Sequence, residues 1–201
     1  WNGAAKEEFK GPKEGLAVLP GRYAVRMTLN GRTFTQSFDV KPDPQTPYTL
    51  AQMQQAHTFG EKYLKMQGAV NTLLNHLDAQ KKSLASTRDA LSNSNNAALL
   101  AKVDAAMKQR QEIFDTFTAD YHNDEDSIQR PGKLREDMPG GFFAAFGPPT
   151  EAQLEYAKRY DAEYAAGLAR YNAYVRDTLT PLSTALKAAG QSTIAEPELV
   201  R

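Results

Sequence analysis

Residues 49–91, TLAQMQQAHTFGEKYLKMQGAVNTLLNHLDAQKKSLASTRDAL, decide the fold that this sequence predicts. Within them, apolar side chains recur in steps of three and four, which places them along one side of an α-helix and suits the seam of a helical bundle. These positions are Phe59, Tyr63, Met66, Val70, Leu73, Leu77 and Leu84. Thr49 and Gln52 have the spacing of a capping box, whose two side chains satisfy backbone amides at a helix start. We therefore predict one helix from Thr49 to about Leu91, roughly 60 Å long.

A second helix is predicted after the cluster SNSNN at residues 92–96, because short polar side chains favour turns and helix caps. Its apolar stripe runs from Leu100 to Tyr121 in steps of three and four and is interrupted at Arg110. This stripe predicts a helix shorter than the first.

A third helix is predicted from a second capping box, formed by Thr150 and Gln153. Its stripe consists of Tyr160, Tyr164, Leu168, Tyr171, Val175, Leu179, Leu182 and Leu186. Proline lacks a backbone N–H, so Pro181 should kink this helix or restart it with Thr180 as a cap.

The segment at residues 122–149 carries no helical pattern and is rich in proline and glycine, so we predict an elaborated connection. Its expected apolar anchors are Leu134, Met138, Phe142, Phe143 and Phe146. The predicted fold is mainly α with a small β part. Residues 48–201 form an antiparallel three-helix up-down-up bundle of long helices, preceded at residues 1–47 by a β-hairpin segment.

The β-hairpin is predicted from the residues on either side of the turn at 30–31, Asn-Gly. Apolar residues occupy alternate positions from Tyr23 onwards, the period of a strand with one buried face. Asn-Gly is the preferred pair for a two-residue type I′ turn, which places Met27 opposite Phe34 and Tyr23 opposite Phe38. A lone hairpin is marginally stable in water, so we expect its apolar face to pack on further strands or on the helices.

The composition excludes several classes of function. Lysine plus arginine equals aspartate plus glutamate at 24 each, so no net field attracts nucleic acid or an anionic membrane. The chain has no cysteine and therefore no disulfide, thiolate zinc site or cysteine nucleophile. No apolar stretch approaches the roughly 18 to 20 residues of a membrane span. The start at Trp1 rather than methionine predicts a processed or excised fragment.

The motifs predict no catalytic residue, cofactor or metal site. The three histidines, His57, His76 and His122, lack the spacing of metal ligands, and no nucleophile elbow, dinucleotide fingerprint or phosphate loop is present. Oxygen-bearing residues at 120–126 suit calcium, but they lack the order of a calcium loop, so a solvated acidic loop is favoured. A carboxylate pair on the bundle is the remaining enzymatic alternative.

Two aromatic groups are candidates for contact with a partner. Phe142, Phe143 and Phe146 would be a binding hot spot if exposed, whereas burial under the loop is the favoured alternative. The tyrosine face of the third helix could stack on a sugar or a protein, whereas a bundle core with hydroxyls at the rim is the alternative that its spacing favours. Its candidate contacts are Tyr156, Tyr160 and Tyr164.

Six stretches carry a resemblance to a known family: WNG (1–3), LPGRYAVRMTLNGRTFTQ (19–36), FDV (38–40), KPDP (41–44), PGKL (131–134) and PTEAQ (149–153). The first three resemble the final strands of immunoglobulin-like modules in secreted bacterial proteins. Together the six resemble the C-terminal region of bacterial sortilin-like, BNR-repeat β-propeller proteins, often labelled glycosyl hydrolase or exo-α-sialidase-like. The resemblance implies a secreted or periplasmic protein whose propeller would carry any catalysis.

Two functions are therefore expected. The first is a non-catalytic accessory module whose hairpin completes an immunoglobulin-like sheet and whose partner is an upstream domain of the same parent protein. The alternative is a self-contained helical module that binds a protein or glycan through the phenylalanine loop or the tyrosine face. Neither involves nucleic acid, a cofactor or a membrane span.

Overall fold

The computed structural model describes residues 16–92, 96–118, 134–135, 138–139, 147–195 and 198–200. The prediction of a mainly α fold with a small β part is confirmed. In chain order, its elements are β1 (Gly21–Leu29), β2 (Arg32–Val40), α1 (Leu50–Ser92), α2 (Ala97–Phe117), α3 (Glu151–Tyr174), a π-helical turn (Val175–Leu179) and α4 (Thr180–Ala188).

Both predicted capping boxes are present. The Thr49 amide donates to Gln52 Oε1 at 2.9 Å, and the Gln52 amide donates to Thr49 Oγ1 at 3.3 Å. Thr150 and Gln153 make the same reciprocal pair at the start of α3. Asn96 caps α2 by accepting from a backbone amide of its first turn. These local hydrogen bonds fix where the three long helices begin, as predicted.

The hairpin has the predicted turn and register. Asn30 and Gly31 have φ of 49° and 77°, the positive values that a type I′ turn requires. Met27 lies opposite Phe34, and β1 pairs with β2 along their whole length. The large apolar side chains of both strands therefore share one face.

The core is built from the predicted stripes, and it also contains the polar residues that interrupt them. Tyr63, Val70, Leu73, Leu77, Leu84, Val103 and Phe117 are all buried. Arg110 is only 3% exposed. Its Nε donates to the backbone oxygen of Leu77 at 2.9 Å, and its guanidinium lies 4.7 Å from the centre of the Phe114 ring. These contacts let a charged residue occupy a core position of α2.

Side-chain pairs join the three long helices α1, α2 and α3 to one another. They are Arg88–Asp104 between α1 and α2 at 2.7 Å, Glu112–Arg170 between α2 and α3 at 2.8 Å, and Tyr63–Asp161 between α1 and α3 at 3.0 Å. Of the apolar anchors predicted for the connection, Leu134 and Met138 are buried. The described part of the chain contains no helix with the length and apolarity to cross a membrane.

The capped restart, one of the two outcomes predicted at Pro181, does not occur. The backbone N–H of Thr180 donates to the oxygen of Val175, five residues earlier, and the Thr180 hydroxyl donates to the same oxygen at 3.0 Å. Thr180 therefore does not cap α4, contrary to the prediction. Because proline has no N–H and crowds the preceding turn, one wider turn adjusts the hydrogen bonding while the helix continues.

Candidate interaction surface

The predicted aromatic loop cannot be placed on the molecule. Phe142, Phe143 and Phe146 lie outside the described residues, as do His122 and the acidic residues at 120–126. Their roles stay predictions.

The tyrosines of α3 divide into core and rim. Tyr160 is 3% exposed, its hydroxyl donates to the backbone oxygen of Leu134 at 2.7 Å, and its ring stacks on Tyr164 at 6.4 Å. Tyr164 is buried as well. Tyr156 is half-buried, and the Arg159 guanidinium lies 5.4 Å from the centre of its ring. Tyr160 and Tyr164 therefore belong to the bundle core, while Tyr156 lies where a partner could reach it.

The buried tyrosines act as neutral hydrogen-bond donors. Burial raises the pKa of Tyr160 far above its ordinary value. Burial also raises the pKa of Tyr63, helped by the hydrogen bond from its hydroxyl to Asp161. The Tyr63 hydroxyl joins α1 to α3, and the Tyr160 hydroxyl joins α3 to the connection at Leu134. Their raised pKa values do not suit proton transfer near neutral pH.

Among the described residues, several large apolar side chains are exposed together on the hairpin. Five large side chains share one face of the two strands and are each half or more exposed, from Phe38 at 50% to Leu29 at 57%. They are Val25, Met27, Leu29, Phe34 and Phe38, and we call them the hairpin face. The sequence led us to expect that strands or helices cover this face, but within the described ranges nothing does.

The opposite side of the hairpin is polar. Thr28 and Thr33 lie opposite each other there with their hydroxyl oxygens 3.3 Å apart, next to Arg26 and Thr35. In a hairpin with a two-residue turn, these alternate residues direct their backbone N–H and C=O groups away from the partner strand. Among the described residues, the sheet contains only these two strands, so both of its edges can accept another strand.

A cleft of about 610 Å³ separates the base of the hairpin from the start of α1. Leu19, Val40, Tyr48, Met53 and His57 contribute to its walls. Its volume is in the range of ligand sites. However, the described residues nowhere bring three metal-ligating side chains together, and we assign the cleft no chemistry.

No family model, curated protein or solved structure matches this chain. Function must therefore be inferred from the chain's own surfaces. The alternation around residues 30–31 identified the hairpin face in the sequence, and the family resemblance predicted that its partner strands belong to an upstream domain.

Proposed function

We propose that this chain is a non-catalytic accessory module of a larger, exported β-propeller protein of the glycosyl-hydrolase-like kind. The partner is an upstream domain of the same polypeptide, and the hairpin completes an immunoglobulin-like sheet of that domain. The observation that supports this proposal is the exposed hairpin face. Export to the periplasm or the medium and the identity of the parent rest on the family resemblance.

An uncovered hairpin face is energetically unfavourable. Its five large side chains expose apolar area of about a few hundred Å², comparable with the largest patch on an ordinary monomer, and such patches often bind partners. Removing apolar surface from water stabilises a protein or a complex by about 25 cal/mol for each Å². A two-stranded sheet is also marginal by itself and gains stability when further strands join it. Docking against another sheet would bury the hairpin face and would add strands to the two-stranded sheet.

The two faces of the hairpin favour one-sided docking. The hairpin face would pack against the interior of a sandwich, while the side that carries Arg26, Thr28, Thr33 and Thr35 remains in water. The free strand edges would supply main-chain hydrogen bonds to an adjacent strand.

The helical part would then act as a rigid body attached to the completed sheet. We propose for it the antiparallel up-down-up arrangement. The contacts of Arg88 with Asp104 and of Leu77 with Arg110 support opposite directions for α1 and α2, because residue numbers rise on one helix as they fall on the other.

Photo-crosslinking in the natural gene product tests the proposal. A benzophenone amino acid replaces Phe34 on the hairpin face, and a matched control replaces Thr35 on the polar side. We expect the probe at position 34 to crosslink within the same polypeptide, to a segment upstream of this chain, and the control to give little product. Crosslinks from position 34 to the helices, or to no part of the polypeptide, would contradict the proposal.

A further inference from the structure

Exposed apolar side chains are unevenly distributed over the described part of the chain. Those of the hairpin face are the largest group. The others, with one exception, precede β1 or lie at the starts of α1 and α3: Val18, Tyr48, Leu50 and Leu154, each between 40% and 58% exposed. We call these four the junction patch. The exception among the described residues is Leu199, close to the C-terminal end.

The starts of α1 and α3 lie side by side at the base of the hairpin. A Cβ at Gly147 would lie 2.5 Å from Cζ of Tyr48, so the residues that lead into α3 pack on those that lead into α1. Val18 and Tyr48 both line the cleft between the hairpin and α1. Leu50 is three residues before Met53, which also lines the cleft, and so lies on the same side of α1. The junction patch is therefore gathered around one end of the helices, beside the hairpin.

The hairpin face alone is small for an interface. Each partner in a specific protein–protein interface contributes about 800 Å², whereas the hairpin face offers about a few hundred Å². Phe38 and Val40 lie on the same side of β2, and Val40 lines the cleft, so the apolar row of the hairpin face continues into the cleft. The cleft and the junction patch therefore supply the adjoining apolar area that a docking partner needs.

The cleft is also where the chain enters the described structure. Leu16, the first described residue, contributes to its walls. Any domain joined ahead of Leu16 is tethered at the cleft, and a tethered domain has an effective concentration of about millimolar. Pro20, Pro42 and Pro47 restrict the backbone of the walls, so the cleft needs little rearrangement on binding. An upstream domain can therefore dock here at a low entropic cost.

We infer that the hairpin face, the cleft and the junction patch form one continuous docking surface, and that its occupant is the domain upstream in the same polypeptide. This inference rests on the proposed function. It adds that the upstream domain extends beyond the hairpin, places apolar side chains in the cleft and contacts the starts of α1 and α3. The helices are then held in a fixed orientation to the upstream domain and are not attached through the hairpin alone.

Photo-crosslinking from Leu154 tests the inference in the natural gene product. A benzophenone amino acid replaces Leu154, and a matched control replaces Leu199, which is exposed as well. Leu199 adjoins Val200, which is hydrogen bonded to Asn172, roughly 27 Å further along α3 than Leu154. We expect the probe at position 154 to crosslink to a segment upstream of this chain and the probe at position 199 to give little product.

The probe at Phe34 separates failure of this inference from failure of the proposed function. Upstream crosslinks from position 34 without any from position 154 would leave completion of the sheet standing and would overturn the inference. Absence of upstream crosslinks from both positions would overturn the proposed function together with the inference. Crosslinks from position 154 to a second copy of the chain would overturn the choice of occupant.

A charge substitution tests whether the two parts act as one surface. Leu154→Asp places a carboxylate near the start of α3, where the helix dipole favours it, so the helix should remain folded. In the natural gene product this change should lower the protection of Met27 from hydroxyl-radical labelling by about tenfold, because a buried leucine contact is lost. Leu199→Asp is the control and should leave the protection of Met27 unchanged. Equal protection of Met27 in both variants and in the unmodified protein would overturn the inference.

Discussion

At the scale of single residues, the most unusual feature is a pair of buried amide side chains on α1. Asn71 and Gln80 are each 1% exposed. Neither amide atom of Asn71 is in hydrogen-bonding geometry with a residue that the structure describes, whereas the Gln80 amide interacts with the Tyr171 hydroxyl. Each unsatisfied group costs about 1 to 3 kcal/mol. Gln80 has the Tyr171 hydroxyl beside it, whereas Asn71 has no such neighbour among the described contacts, so the two should respond differently to substitution.

Asn71→Leu should raise the free energy of unfolding by about 1 to 3 kcal/mol, because it replaces an unsatisfied amide by an apolar side chain of similar size. Urea denaturation followed by circular dichroism measures the change. Asn172→Leu is the matched control and should lower the free energy, since it removes two hydrogen bonds to Val200. Loss of stability in Asn71→Leu would mean that this amide is satisfied in solution.

Gly167→Ala should lower the free energy of unfolding by about 1 kcal/mol, even though alanine favours helices by about that amount. A Cβ at position 167 would lie 2.9 Å from Cζ of Phe117 and 3.0 Å from Cδ1 of Leu134. Combining the substitution with Phe117→Leu should recover part of the loss in a double-mutant cycle. Additive losses would contradict this packing account.

At the scale of elements, local signals were sufficient for the helix starts and the hairpin register. Capping boxes and an Asn-Gly turn act over two to four residues, so both could be predicted from the sequence. The π-helical turn before Pro181 could not be predicted from the sequence, because it depends on how the packed helix adjusts to the missing backbone N–H of Pro181. The contacts of Ala195 with Ser83 and of Val200 with Asn172 were missed for a related reason, because they form only when residues distant in the sequence meet.

The buried tyrosines predict a cooperative alkaline transition. Burial raises the pKa values of Tyr63, Tyr160, Tyr164, Tyr171 and Tyr174 above their ordinary value. A raised folded-state pKa contributes stability below the unfolded-state pKa of about 10, and that stability is lost as pH rises through the folded-state pKa. Phenolate absorbance and loss of helicity should therefore rise together above about pH 10. Ionisation of these five groups with intact helices would contradict their burial.

The hairpin face should contribute little to the stability of the helices. Phe34→Thr should change the free energy of helix unfolding by less than about 0.5 kcal/mol, because this side chain is 53% exposed. Leu84→Ala, at a fully buried position, should cost about 2 to 5 kcal/mol. Thermal denaturation followed by circular dichroism at 222 nm compares the two variants. Similar losses would mean that the hairpin face packs on the helices in solution.

At the scale of the whole molecule, apolar side chains are buried in the helices but exposed on the hairpin. The helices enclose a continuous apolar core, whereas the hairpin presents most of its apolar side chains to water. Because positive and negative charges balance, net charge does not select a partner. We therefore expect a partner to be selected by shape and by apolar contact. The exposed side chains of the hairpin face are available for such a contact.

Oxidation of methionine tests the central claim, that the hairpin face is a docking surface left open in this chain. Met27 is 55% exposed on the hairpin face, and Met53 is 7% exposed in α1, so the second serves as an internal reference. Hydroxyl-radical labelling with mass spectrometry should modify Met27 much faster than Met53 in the isolated chain, and the natural gene product should protect Met27. Protection of Met27 in the isolated chain, or equal modification of Met27 in both, would contradict the claim.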